Sequence, residues 1–361
     1  MLKQIVNPLV EWYRENKRIL PWRDQDNAYY TWVSEIMLQQ TRVEAVKPYF
    51  ERFITELPDV RTLALCPEKK LMKLWEGLGY YNRVRNMQEA ARTVTDEYGG
   101  VLPADHQKLL SLKGIGSYTA GAIASIAYHI PVPAVDGNVL RVISRITESR
   151  EDIMKQSVRK KIEEDLLAVM PGDCPGDFNQ ALMELGAVVC VPNGSPKCGE
   201  CPAAFCCQAY RHGTVEELPV KAKKKARRQE DRTVLVIQDG DRTAIRRRPS
   251  KGLLAGLYEL PNVEGALTQQ EALERVKELE LEPLFIKDLE PSRHIFSHIE
   301  WRMTGYLIRV ASLEQMKDRG LLFVEKAQSE KQYAIPSAFR AYTKYMKQGE
   351  NLFTAARDDN K

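Results

Sequence analysis

Apolar side chains recur at close to the helical period through the first 215 or so residues. Between Thr31 and Phe53 they fall at Trp32, Ile36, Val43, Val46, Phe50 and Phe53, which predicts one helical stretch. The same reading predicts helices in EKKLMKLWEGL, NRVRNMQEAARTVTDEY, YTAGAIASIAYH, NVLRVISRIT, VRKKIEEDLLAVM and FNQALMELGAVV. The pattern stops at LPVKAKKKARRQED, where a proline and a run of like charge predict a linker over 216–230. Beyond it the period changes. TVLVIQ and RTAIRRR flank Asp239-Gly240 and predict a hairpin, since both turn residues tolerate left-handed backbone angles. RMTGYLIRV and LLFVEK read as strands and LTQQEALERVKELE as an amphipathic helix, so a second, α+β domain is expected over 231–350, with a tail at 351–361.

Length agrees with two domains, because one hydrophobic core seldom extends through 361 residues. With 43% hydrophobic and 28% charged residues, the composition excludes a disordered or fibrous chain. No apolar run approaches the roughly 18 residues of a membrane span. The first residues become charged too early for a signal peptide, so a cytoplasmic protein is expected. Charge is unevenly spread: residues 221–250 hold eleven Lys/Arg against four Asp/Glu, a net of +7, and the other 331 residues carry a net of −3. Such a segment fits either a polyanionic partner such as nucleic acid or a solvated linker.

Four features carry candidate chemistry. In LSLKGIGSYTAGAI, Gly114 and Gly116 bracket Ile115 between two helical segments, which fits a phosphate-binding hairpin or a plain helix–helix turn. In VDGNVLRV, Asp136 stands at a helix start, as an N-cap or as a carboxylate facing a developing cation, with Asn138 placed to orient it. Glu35 in WVSEIMLQQT is surrounded by Trp32, Val33, Ile36, Met37 and Leu38. Burial there would raise its pKa toward the range of a general acid, whereas a wet edge shared with Gln39 and Arg42 would leave it ordinary. A sheltered Glu with a second carboxylate is the pair that glycosidic-bond cleavage needs. The fourth feature is a cluster of five of the seven cysteines, Cys190, Cys198, Cys201, Cys206 and Cys207. With no export signal they predict a metal site, and one wide gap followed by close ones favours an iron–sulfur cube over zinc. The fourth ligand is Cys206 or Cys207. Cys66 and Cys174 read as packing residues.

Hairpin, VDGNV, FNQALMELGA and cysteines, in that order, resemble the helix-hairpin-helix DNA glycosylases with an iron–sulfur cluster. Within that superfamily LPWR, WVSEIMLQQT, GLGYYNR, VDGNVLRV and FNQALMELGAVVC are similar to the MutY family of adenine DNA glycosylases. The similarity resumes more weakly at KGLLAGLYELP and FSH.

The resemblance implies a mostly α-helical glycosylase region over 1–215, with the hairpin at 109–130 and a 4Fe–4S loop at 190–207, followed by a Nudix-like α+β domain. It implies an enzyme that removes adenine opposite 8-oxoguanine or guanine in double-stranded DNA, acting as a monomer. Glu35 would protonate adenine N7, Asp136 would face the sugar cation, Tyr118 would support that intermediate, and Asn138 would hold Asp136. Trp22, Arg23, Leu38 and Gln180 would line the pocket of a flipped adenine. Gln40 and Tyr80 would fill the gap beside the lesion, Thr41 would touch the opposing base, and Lys113, Gly114 and Gly116 would meet phosphate. Phe296, Ser297 and His298 would contact 8-oxoguanine, and Cys190, Cys198, Cys201 and Cys207 would hold the cluster. Related bifunctional endonuclease III enzymes place a lysine where Tyr118 stands, so the expectation is base removal without strand cleavage. Two competing functions are a glycosylase/lyase for oxidised pyrimidines and a non-catalytic damage sensor. The chain departs from the family in having seven residues, not six, between Cys190 and Cys198, and Lys113 where proline is usual.

Overall fold

The structure, a computed structural model, describes residues 1–222, 226–313 and 320–347. It divides into two compact units: Met1–Cys66 with Asn82–Lys224, and Pro67–Tyr81 with Lys225–Lys361. Among the described residues no helix is long and apolar enough to cross a membrane.

The first unit is helical. The Leu2–Asn16 helix, which periodicity did not single out, buries Ile5, Leu9 and Tyr13 in one core with Val139, Ile143, Phe178 and Leu182. Those partners come from the Gly137–Ile146 and Pro175–Val188 helices. The IPVPAV stretch between helices forms no element of its own and is stitched down by Asn179. The Asn179 Oδ1 accepts from the Ala134 N–H at 3.0 Å, and its amide donates to the Val132 carbonyl at 2.9 Å. A buried side-chain amide thus replaces the missing ladder, as buried backbone groups require, and fixes where Asp136 emerges.

The expected helix from Thr31 to Phe53 is two helices, Ala28–Leu38 and Val43–Glu56. Gln40 lies between them at a φ of 60°, a conformation that ends a helix. Neighbouring apolar positions hide such a break because the period resumes nearly in phase.

Among the described residues the second unit carries a seven-stranded sheet: β1 (Arg228–Asp239), β2 (Arg242–Arg247), β3 (Tyr258–Glu259), β4 (Asn262–Glu264), β5 (Pro283–Ile295), β6 (Ile299–Val310) and β7 (Leu321–Glu325). Strand order is β3-β2-β1-β6-β5, with β4 beside β1 and β7 beside β2. β1 and β6 run parallel and the other pairs antiparallel. Val234 and Val236 face a core with Trp301 and Phe339, whereas Leu235 and Ile237 face one with Ala272 and Val276 of the Gln269–Glu278 helix. Covering on both faces explains why TVLVIQ reads as an unbroken apolar run.

Three boundaries differ from the sequence reading. β1 starts at Arg228, inside the expected linker, because its first residues pair with β6 from Ile299 onward. Lys223–Lys225 of that linker and the tail 351–361 lie outside the described residues. The turn of the first hairpin is Gly240-Asp241, since Asp239 pairs with Arg242. Residues 67–81, read as part of the helical region, pack in the second unit. Glu76 Oε1 accepts from the Ile335 N–H at 2.7 Å, and Lys73 Nζ donates to the Tyr333 carbonyl at 3.2 Å.

Candidate active site

Glu35 sits in a helix that is apolar nearly all round, with Trp32, Val33, Ile36 and Met37 buried beside it. It is 7% exposed, and its carboxylate looks into a cavity of about 480 Å³. The wet-edge alternative is therefore excluded. Tyr118, one residue into the Ser117–Tyr128 helix, donates its hydroxyl to Glu35 Oε2. Burial pushes the Glu35 pKa up to about 7, the Tyr118 hydrogen bond pulls it down, and the Asp136 charge pushes it up again. Burial and the Glu35 charge hold the Tyr118 phenol well above its usual value, so it stays a donor.

Asp136 lines the same cavity and is also the N-cap of the Gly137–Ile146 helix, so serving as the cap does not take it out of the cavity. One oxygen accepts the N–H groups of Asn138 (2.9 Å) and Val139 (2.8 Å), and the other accepts Asn138 Nδ2 (2.7 Å). Burial raises its pKa, and those donors oppose the rise. Three donors against the single one at Glu35 make Asp136 the carboxylate that ionises first. Asn138 is held in turn: its Oδ1 accepts from Arg141 Nη2 at 2.9 Å, and Arg141 also donates to the carbonyls of Gly186 and Cys190, both at 2.8 Å. A Cβ at Gly186 would lie 2.6 Å from Asn138 Cβ, so only glycine permits this approach.

Trp22, Arg23, Leu38, Gln180, Gln40 and Thr41 line the cavity too. Sequence reasoning missed Glu184, one helical turn beyond Gln180. It is 1% exposed and grips two pocket arginines. Arg18 donates to it through Nε (2.6 Å) and Nη2 (2.9 Å), and Arg23 through Nη2 (2.6 Å). Burial alone would raise the Glu184 pKa, but these hydrogen bonds hold it down at about 2. A glutamate inside the largely apolar ALMELGA stretch was the available signal. Glu184→Ala strands a buried guanidinium, and the expected cost is about 3–5 kcal/mol of stability, read as a lowered urea midpoint.

Gly114 takes a φ of 77°, and Gly116 is the N-cap of the Ser117–Tyr128 helix, which has no side-chain cap. Lys113 is exposed and 3.9 Å from Glu89, a pairing worth little in water.

Tyr80 does not line this cavity. It belongs to the second unit, 49% exposed, with its hydroxyl 2.9 Å from Ser297 Oγ. Phe296, Ser297 and His298 form the turn between β5 and β6, not a strand, closed by the Phe296 N–H to the Ile299 carbonyl at 2.8 Å. Phe296 packs edge-on against Trp301 (4.9 Å between centroids), while Ser297 and His298 are exposed.

Cys190, Cys198, Cys201 and Cys207 line one small cavity of about 20 Å³ in the first unit, walled otherwise mostly by apolar side chains. Cys206 is not on its wall and its thiol points to the Ala203 carbonyl at 3.6 Å. Burial, with Cys190, Cys207 and Cys198 adding to it, pushes the Cys201 thiol up to about 12. Among the described residues no group of three or more Cys, His, Asp or Glu side chains is arranged to hold a metal ion. The four thiols on one cavity wall are of the soft donor type that suits an iron–sulfur group.

The helical unit and its cavity place the chain among base excision DNA repair glycosylases: residues 33–166 match the HhH-GPD superfamily of base excision DNA repair proteins, and residues 233–345 match the NUDIX domain family. The chain is 34% identical over 396 residues to the adenine DNA glycosylase of Mus musculus, covering 92% of this chain and 77% of that one. It is 31% identical over 317 residues to that of Buchnera aphidicola subsp. Acyrthosiphon pisum, covering 87% and 89%. A thermostable thymine-DNA glycosylase has a similar solved structure, with a TM-score of 0.52 and 28% identity over 58% of this chain and 96% of that one. The chain belongs to the adenine DNA glycosylase family.

Proposed function

We propose that this chain removes adenine lying opposite 8-oxoguanine or guanine in duplex DNA by hydrolysing the N-glycosidic bond of a nucleotide flipped into the cavity. The carrying observation is the pair of carboxylates in one cavity with unlike surroundings: Glu35 buried with a pKa near 7, Asp136 held by three donors. Glu35 gives its proton to adenine N7, and the C1′–N9 bond breaks with its electron pair going to the base. Ionised Asp136 faces the oxocarbenium-like sugar, oriented by Asn138 and Arg141, and Tyr118 keeps Glu35 aimed. Water adds to C1′ and returns a proton to Glu35. Trp22, Arg23, Leu38 and Gln180 frame the adenine, with Glu184 fixing Arg23.

Gln40, Thr41 and Tyr80 meet the DNA around the lesion, Lys113, Gly114 and Gly116 meet phosphate, and Ser297 and His298, presented on Phe296, meet 8-oxoguanine. The Tyr80–Ser297 hydrogen bond supports joint work by those two. Cys190, Cys198, Cys201 and Cys207 hold a 4Fe–4S cluster, a choice supported by Cys207, not Cys206, lining the shared cavity. When bound, such a cluster cross-links this part of the chain and supplies one-electron redox chemistry.

The test uses labelled duplexes carrying adenine opposite 8-oxoguanine, adenine opposite guanine, or thymine glycol opposite adenine, with and without alkali. Breaks at adenine only after alkali support the reading. Alkali-independent breaks at thymine glycol would move the activity to the lyase class, and tight binding without product would make the chain a sensor.

A further inference from the structure

Among the described residues Arg145 is a buried cation with no carboxylate bonded to it. It lies one turn beyond Arg141 in the Gly137–Ile146 helix, 4% exposed. Its Nε donates to the Leu218 carbonyl at 2.9 Å, and its Nη1 to the Val191 carbonyl at 3.0 Å and to Cys190 Sγ at 3.2 Å. Its own carbonyl accepts from Cys207 Sγ at 3.4 Å, and its side chain lines the cysteine cavity. Among the described residues none of these partners is a carboxylate. In the same unit the half-buried Arg23 shares Glu184 with Arg18, and the buried Arg141 is held by Asn138 and backbone carbonyls. Backbone carbonyls satisfy the N–H groups of Arg145, but they do not neutralise a charge that costs several kcal/mol to bury unpaired. Arg145 shares the wall of one cavity with the four thiols, which gives an anion a place beside it. Neutral thiols are poor partners; metal-bound thiolates are anionic and accept N–H groups well.

We propose that Arg145 is the built-in counter-cation of an anionic thiolate–metal centre, and that its N–H to Cys190 sulfur sets how firmly the centre is retained and at what potential it is reduced. This rests on the reading of the four cysteines as ligands. A cation and a hydrogen bond beside a sulfur stabilise the more reduced, more negative state, so their removal shifts the potential to more negative values. Arg145 is a positioning residue; it touches neither adenine nor sugar.

The test compares full-length wild type, Arg145→Met and Arg145→Lys for iron and sulfide content, visible absorption, chelator-driven metal loss and potential by voltammetry. Arg145→Met, close in length but neutral, is expected to lose metal about tenfold faster, as is usual when a ligand's outer partner is removed, and to show a more negative potential. Arg145→Lys keeps the charge without the planar fork and is expected to fall between. Unchanged retention and potential in either folded variant would overturn the proposal, and if Arg145→Met does not fold, Arg145→Lys decides alone. Wild type holding zinc instead of iron and sulfide would overturn the cluster reading while the chelator comparison still judges Arg145. Wild type holding no metal would overturn both.

Discussion

Glu35→Gln is expected to lower single-turnover adenine release by about 10³-fold, within the range a general acid supplies, while binding to the mispaired duplex persists. Glutamine keeps the shape and can still accept the Tyr118 hydroxyl, so what is lost is the proton. The same change is expected to stabilise the fold at alkaline pH. The folded pKa is about 7 against an ordinary value of 4.5, so the native state binds the extra proton between those limits. Wild-type stability therefore falls as pH rises from about 4.5 to about 7, and the full cost, about 3 kcal/mol, is present above that. Glutamine carries none of it. Denaturant titrations at pH 8 and at pH 4.5 check this: the variant should be the more stable at pH 8, and the two proteins should converge at pH 4.5. A variant less stable than wild type at pH 8 would mean that Glu35 is not a strained, buried carboxylate.

Asp136→Asn separates the two jobs of that residue. Asparagine caps helices about as well as aspartate, so the cap on the Gly137–Ile146 helix survives, while the bond from Asn138 Nδ2 to the second oxygen is lost at a cost of about 1 kcal/mol. The negative charge facing the sugar is gone, and adenine release is expected to drop about 10³-fold, the scale seen when one electrostatic partner of a transition state is removed. Asp136→Ala should lose the same activity and, in addition, about 1 kcal/mol of stability with the cap. Thermal melts together with single-turnover rates check both. Full activity in folded Asp136→Asn would reduce the residue to its cap.

Much of this site was legible before the fold was known, and the physical reason differs by residue. Glu35 stood out because apolar neighbours on every side leave a carboxylate no water. Asp136 was ambiguous, since a cap and a reacting carboxylate use the same residue at the same position; the structure shows the cap and puts the residue on the cavity wall. Glu184 was missed because its partners, Arg18 and Arg23, lie some 160 positions away in the chain. The helix Leu2–Asn16 has no motif and is recognised through its partners in the core. Tyr80 sits in a stretch whose periodicity matches the helical region, yet side chains such as Glu76 and Lys73 bond into the second unit, and no local pattern records that. The break at Gln40 was hidden by an apolar period that resumes after four residues.

The most direct test of the account is the single-turnover rate of free adenine release from a duplex with adenine opposite 8-oxoguanine, followed from pH 5 to pH 9 with the full chain. Glu35 must be protonated and Asp136 ionised, so the rate should fall as pH rises through about 7, and this alkaline limb should be absent from the residual activity of Glu35→Gln. A rate that rises with pH and then levels off would contradict the account, because it would make Glu35 a base toward water and not the acid that releases adenine.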